Sequence, residues 1–335
     1  MPVELRDDDF EAAHALAAKD RSNLYLTSQF LTEPERYRAF CAMYALMRVI
    51  DDAIDNVIDK DRLDAAGRAE LHADLDRWQA RIEAAYAGQP GDQPLDRALA
   101  WAVQQFPVPI ALWHNFVDAM RYDVDHSRFA DFAAFVDYAE GATVAPTTIY
   151  VYLLVAERSD DGVFRVANFD YRQCGRDLGL FAYLAHVLRD VRSDALVGSR
   201  GLIYFSLADL AACALTDRDL RQWAEAGHSD ARWPQLVRLL VGRAQPFEQR
   251  GAQAVAGVAP RLAPDRRFVL SLIVAYYRAM LGRIGELQAD LFSAADVLSG
   301  NDKLAIALQV ASDVGFEIPA AAIEKFGRAA QPRPV

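Results

Sequence analysis

Tyr44-Ala45-Leu46-Met47-Arg48-Val49-Ile50-Asp51-Asp52-Ala53-Ile54-Asp55 is an apolar stripe that turns acidic over its last residues. Upstream, Tyr37 and Phe40 lead into Tyr44, Met47 and Asp51 at steps of three and four, the period of one helix face and not of a strand. Thr32 suits the cap and Pro34 the first turn, so a helix is expected from Glu33 to about Asn56. Asp51 and Asp55 then lie one above the other on the same face.

The same period fills most of the chain, and alternating β-type runs are scarce. Further helices are expected at 62–87, 95–105, 109–124, 131–157, 168–195, 206–213, 217–227, 231–255, 262–293 and 317–328. Gly88-Gln89-Pro90-Gly91 and Pro107-Val108-Pro109 break the pattern, and Arg158 to Gly162 reads as a loop. The fold class is all-α. Without a repeat or a low-complexity linker, residues 1–335 read as one domain, with 1–20 and 329–335 at its periphery or frayed.

With 53% hydrophobic and 25% charged residues in 335, the chain can bury a large core. A net charge of -11 and a pI near 5.1 exclude a binder of the nucleic-acid backbone, which draws its affinity from clustered Lys and Arg. Cys41, Cys174 and Cys213 are far apart, which indicates no disulfide framework or thiolate metal site and fits the cytoplasm. The start of the chain has no basic-then-apolar leader, and Phe268 to Tyr277 is shorter than the roughly 18 residues of a membrane span. A soluble protein, or one peripheral to the membrane, is expected; the sequence sets no oligomeric state.

A second acidic cluster, Leu188-Arg189-Asp190-Val191-Arg192-Ser193-Asp194, again places carboxylates four apart, at Asp190 and Asp194. Like charges at that spacing cost an isolated helix about 0.2–0.5 kcal/mol, and a bound cation compensates for them. Mg²⁺ takes a few carboxylates together with water and substrate phosphate oxygens. Two such pairs, each near an arginine (Arg48, Arg189), can clamp a diphosphate and stabilise it as a leaving group. One acidic run alone reads as a solvated helix face; two in apolar helices point to function.

The first cluster, with its tyrosine and arginine, resembles the first signature of the squalene/phytoene synthases; the second, followed by Ile203-Tyr204-Phe205-Ser206, resembles the other. Weaker similarity extends to Ser22 through Phe30, Tyr122-Asp123, Tyr138-Ala139-Glu140-Gly141, Tyr277 and Lys303. The resemblance implies a helical isoprenoid-synthase bundle around a central cavity for two prenyl diphosphates, farnesyl or geranylgeranyl, joined head to head. It implies Mg²⁺ on Asp51, Asp55, Asp190 and Asp194, with Asp52 and His186 as further candidates. Arg48, Arg189, Tyr204, Ser22, Tyr25, Gly141, Gly179, Tyr183, His186 and Lys303 would then bind substrate, and Tyr44 and Tyr277 would line the developing cation. NADPH has no signature in the sequence, though reduction to squalene need not show one. A lipid product gives a reason for peripheral membrane contact.

Where the family carries glutamine and asparagine before the second Arg-Asp, this chain has Tyr183 and His186, and imidazole suits softer metals than Mg²⁺. The exchange leaves open a terpene cyclase or atypical prenyltransferase on the same fold and, in another class, a non-catalytic assembly factor. Of the other histidines, His14, His72, His114, His126 and His228 have no ligand spacing. Tyr150, Tyr152, Phe181, Tyr183, Tyr276 and Tyr277 are candidates for a prenyl tunnel, although such stripes are more often core. Gly141, Gly175 and Gly179 fit either a tunnel wall or close helix packing.

Overall fold

The computed structural model describes residues 3–19, 22–55, 63–126, 128–198, 202–294, 296–320 and 323. Helix follows helix: α1 Asp7–Ala17, α2 Asn23–Ser28, α3 Pro34–Asp55, α4 Ala65–Tyr86, α5 Pro94–Gln105, α6 Ile110–Asp125, α7 Phe132–Ala139 and α8 Ala145–Val155. After a short hairpin come α9 Tyr171–Arg189, α10 Val191–Ala195, α11 Leu207–Ala212, α12 Asp217–Ala226, α13 Trp233–Val258, α14 Pro264–Leu287 and α15 Gly300–Val314. This is the all-α bundle expected.

Two helices organise the packing. α3 buries Ala39, Phe40, Met43, Leu46, Met47 and Ile50 against α1, α5, α6 and α8; α9 lies against α8, α13 and α14. α8 is buried from Thr148 to Val155, apolar all round as a central helix must be. The segment expected at the periphery instead forms α1 on α3 and α5, burying Asp9, Ala13 and Ala17.

The helix expected over 131–157 has a fault in the middle. Between α7 and α8, Glu140–Val144 widens into a π-turn, which carries Ala142 and Thr143 to the site described below. Gly141 in that turn is pressed on α6: a Cβ there would sit 2.1 Å from the Asn115 carbonyl oxygen. At Gly179 a Cβ would meet Val144 at 3.0 Å. Both glycines serve helix approach; neither lines a hollow, contrary to their expected place in the substrate site.

The Arg158 to Gly162 stretch is the turn of a ribbon, β1 Glu157–Arg158 antiparallel to β2 Phe164–Arg165. The helix expected over 168–195 ends at Arg189 and restarts at Val191, with Asp190 at the break (φ -94°, ψ 5°). α15 went unforeseen because Gly300, Asn301 and Asp302 look like loop; Ser299 and Asp302 cap each other's backbone instead, which starts the helix. Of the helix expected over 317–328, residues 317–319 are not helical, 320 and 323 are, and the rest lie outside the described residues.

α14 is long and apolar enough, by length and composition, to cross a membrane, a possibility that the uncharged run Phe268 to Tyr277 alone did not raise. It packs against α2, α9, α13 and α15, and more than half of its apolar stretch is buried there, as a core helix requires.

Candidate active site

α3, α6, α8, α9 and α14 enclose an apolar cavity of about 210 Å³. Leu178, Phe181, Leu270, Ile273 and Val274 give its walls; Ser22, Asn23, Arg48, Asp51 and His186 give its polar end. That end continues into an acidic hollow of about 270 Å³, lined by Asp51 and Asp55 from α3, Asp123 from α6 and Asp194 from α10. Arg48, Asp51, Ala142, Thr143, Tyr183 and His186 border both spaces. The carboxylates of the two sequence clusters thus meet across one opening.

Electrostatics follow from this crowding. Burial, then the neighbouring Asp55, pushes the Asp51 carboxyl up to about 7. Burial, then Asp190, pushes Asp194 up to about 8. Arg48 offsets part of the charge by donating to Asp51 at 2.8 Å and to Asp52. Asp52 also takes Lys19 at 2.9 Å and lines neither space, so it stands apart from the other carboxylates because it faces the helix flank.

Asp190 is placed differently from Asp194, although sequence spacing put them on one face. The helix break turns Asp190 into a third, basic hollow of about 430 Å³ with Arg189, Arg192 and Lys303. Arg189 Nε donates to Asp190 Oδ1 at 2.6 Å, and His186 Nε2 lies 2.8 Å from Oδ2. Burial alone would raise this carboxyl, but these hydrogen bonds outweigh it and hold it below the usual carboxylate range. Burial, then the nearby Arg189, lowers the Lys303 ammonium.

The tyrosines divide as well. Tyr44 OH donates to Ser22 Oγ at 2.6 Å, and burial pushes that phenol up to about 12. Ser22 also caps α2, accepting from the Tyr25 backbone N–H at 3.1 Å, which fixes the hydroxyl at the cavity's polar end. Tyr277 lines the same cavity. Tyr25 turns away: its OH lies 3.3 Å from His14 Nε2 on α1, and it lines no part of the cavity. Tyr204 and Tyr183 stand over the acidic hollow in an aromatic cluster with Tyr138, Phe129 and Phe135, Tyr183 stacking on Phe135 at 5.5 Å.

One carboxylate of this hollow, Asp123, entered the sequence reading only through the weak Tyr122-Asp123 similarity and was given no role there. Asp123 is buried and accepts from Tyr138 OH at 2.7 Å. The signal was present: Asp123 falls on the stripe of Phe116, Val117, Met120 and Val124, an acid on a core-facing side.

The donor set matches Mg²⁺. Among the described residues no three His, Cys, Asp or Glu side chains form a ready metal cage. Mg²⁺ asks for none, since it takes one or two carboxylates and completes its octahedron with water and phosphate oxygens. Four carboxyl groups surround one opening, and two of them, Asp51 and Asp194, are raised first by burial and then by neighbouring acids, so a bound cation would favour their ionised form.

Comparison with known proteins gives the family and the fold. The family model for squalene/phytoene synthase matches residues 17–301. The phytoene synthase of Arthrospira platensis is 28% identical over 293 residues, 86% of this chain and 87% of that protein. The chloroplastic phytoene synthase of Narcissus pseudonarcissus is 29% identical over 84% of this chain, which spans 61% of that longer relative. In fold, a crystal structure of a dehydrosqualene synthase in complex with ligand superposes with a TM-score of 0.72, at 20% identity, over 92% of this chain and 97% of that one. The squalene synthase HpnC from Alicyclobacillus acidocaldarius gives 0.66 at 22% identity, over 86% and 97%. This chain belongs to the squalene/phytoene synthase family, enzymes that transfer prenyl groups.

Proposed function

We propose that this protein condenses two prenyl diphosphates, farnesyl or geranylgeranyl, head to head with release of diphosphate, in a reaction that depends on Mg²⁺. The observation that carries the reading is the junction of a greasy cavity with a four-carboxylate hollow through a shared wall containing Arg48 and Asp51. A prenyl diphosphate has the same two-part chemistry, and at that junction its allylic carbon–oxygen bond would lie between the parts.

Asp51, Asp55 and Asp194 would hold Mg²⁺, which supplies Lewis-acid stabilisation of the departing diphosphate. Arg48 reaches the same opening and can pair with phosphate oxygens. Arg189 and Lys303, in the basic hollow, give a second place for phosphate oxygens. Asp190 keeps the Arg189 fork oriented. Once the bond breaks, the carbocation lies among Tyr44, Phe181, Tyr183 and Tyr277, whose ring faces favour positive charge while the walls exclude water. The double bond of the second prenyl group is then the nearest electron donor.

Tyr183 favours a second reading, cyclisation of a single prenyl diphosphate. Its ring stands in the shared wall where the family resemblance expects an amide side chain, which reshapes the space beside the cation. Purified protein incubated with farnesyl or geranylgeranyl diphosphate, with and without Mg²⁺ and NADPH, separates the two by product mass. A product joining two prenyl units supports condensation, and a product with one unit supports cyclisation. Failure to release diphosphate from either substrate in Mg²⁺ refutes both.

A further inference from the structure

We propose that Tyr150, tied to Thr27, is the wall that sets how long a prenyl chain the apolar cavity accepts, a proposal that rests on the prenyl-transfer reading above. Tyr150 stands on α8 at the boundary of that cavity, beside Leu24, Met47 and Pro146. Its phenol is a polar group in a greasy wall, and such a group needs a partner.

Thr27 on α2 provides it. The Thr27 hydroxyl hydrogen is used on the carbonyls of its own helix, 2.9 Å from Asn23 O and 3.1 Å from Leu24 O. Tyr150 OH therefore donates to Thr27 Oγ1, at 2.8 Å. Both residues are buried, and the Tyr150 ring also meets Phe40 edge-on at 5.5 Å. The ring is held at its tip and along its side, so it cannot swing out of a ligand's way without losing both contacts.

Behind the ring lies a second, smaller space of about 10 Å³, bounded by Phe40, Met43, Ile149 and Leu153. Tyr150 borders both this rear space and the main cavity, in a partition that it shares with Leu24, Tyr44, Met47 and Pro146. The rear space holds at most about one water and has few polar groups to bind it, so it is a dry extension, and the Tyr150 ring is part of the partition that closes it off. Removing the ring joins the two spaces at the apolar side, where the tail of a bound prenyl chain must end. Ile149, one residue before Tyr150, faces only the rear space and provides a control.

The test compares kcat/KM for farnesyl and geranylgeranyl diphosphate, read as Mg²⁺-dependent diphosphate release, in wild type, Tyr150→Ala, Tyr150→Leu and Ile149→Ala, with folding checked by circular dichroism. The preference ratio should move toward the longer substrate by about tenfold in Tyr150→Ala, and by less in Tyr150→Leu, the scale expected when a hydrophobic pocket gains room for extra methylenes. Ile149→Ala should keep the wild-type ratio. An unchanged ratio in a folded Tyr150 variant overturns the proposal, as does an equal shift in Ile149→Ala. If the wild type releases diphosphate from neither substrate, the prenyl-transfer reading fails and the wall falls with it; a working wild type with an insensitive ratio removes the wall alone.

Discussion

The metal-free protein should lose stability as pH rises from 5.5 to 7.5, opposite to the usual behaviour of carboxylates. Asp51 and Asp194 are raised to about 7 and about 8 in the folded protein, against an ordinary 3.8, by burial and by neighbouring carboxylates. A folded-state acid with a raised pKa keeps its proton while the unfolded chain has lost it, so the folded state binds more protons and its advantage falls as pH climbs. The contribution is complete below the ordinary value and disappears as pH passes the folded ones, which places the window between about pH 4 and 8. Asp190, whose pKa is lowered, acts in the other direction but below the ordinary carboxylate range, so it cannot cancel the effect.

Each raised acid tilts stability by at most about 1.4 kcal/mol per pH unit, and because the hollow is open to solvent about 2 kcal/mol over the two units is the expected loss. Urea unfolding in EDTA at pH 5.5, 6.5 and 7.5 measures it. Mg²⁺ with inorganic pyrophosphate should abolish the slope by occupying the carboxylates. Asp51→Asn and Asp194→Asn should each flatten it in EDTA. Metal-free stability that is level or rising over this range, with both variants indistinguishable from wild type, would refute the charge crowding inferred for the hollow.

Asp51→Ala should reduce diphosphate release at least about a hundredfold at unchanged helicity, a loss on the scale of removing a transition-state charge stabiliser, whereas Asp52→Ala should stay within a few-fold because Asp52 lies outside both spaces. Steady-state kinetics of the pair, with circular dichroism, checks the contrast. Tyr138→Phe leaves the buried Asp123 without its 2.7 Å donor and should cost about 1–3 kcal/mol by urea denaturation. Gly141→Ala forces a Cβ into the Asn115 carbonyl, so α6 and the π-turn must part; a loss of about 1–3 kcal/mol or more is expected, with a lower melting temperature. His186→Asn keeps a hydrogen-bonding side chain near Asp190 and restores the residue expected by resemblance, so diphosphate release should be kept or raised, and a large loss would give the imidazole a role of its own.

Periodicity made the helices legible wherever an apolar stripe ran unbroken, as in α3, α4, α6 and α13. It failed at the π-turn and at Asp190, because a faulted helix keeps nearly the same three-to-four spacing as a straight one. It also failed at α15, where two capping side chains overrule the loop-like look of Gly300-Asn301-Asp302. Within the site, the sequence exposed the acids that come in pairs, whereas Asp123, which stands singly, was matched only by weak similarity and shows its place only beside Asp51, Asp55 and Asp194.

By itself the sequence determined an all-α chain with two acidic clusters, each beside an arginine, because helix period and charge spacing are local properties. Tertiary structure alone decided which of those aspartates share a space. Asp51, Asp55 and Asp194 converge, Asp52 faces a lysine, and Asp190 swings to the basic hollow at a break in the backbone. The reason is geometric: spacing along a helix says which side chains are neighbours, but the direction in which that face points is set by how the helices pack.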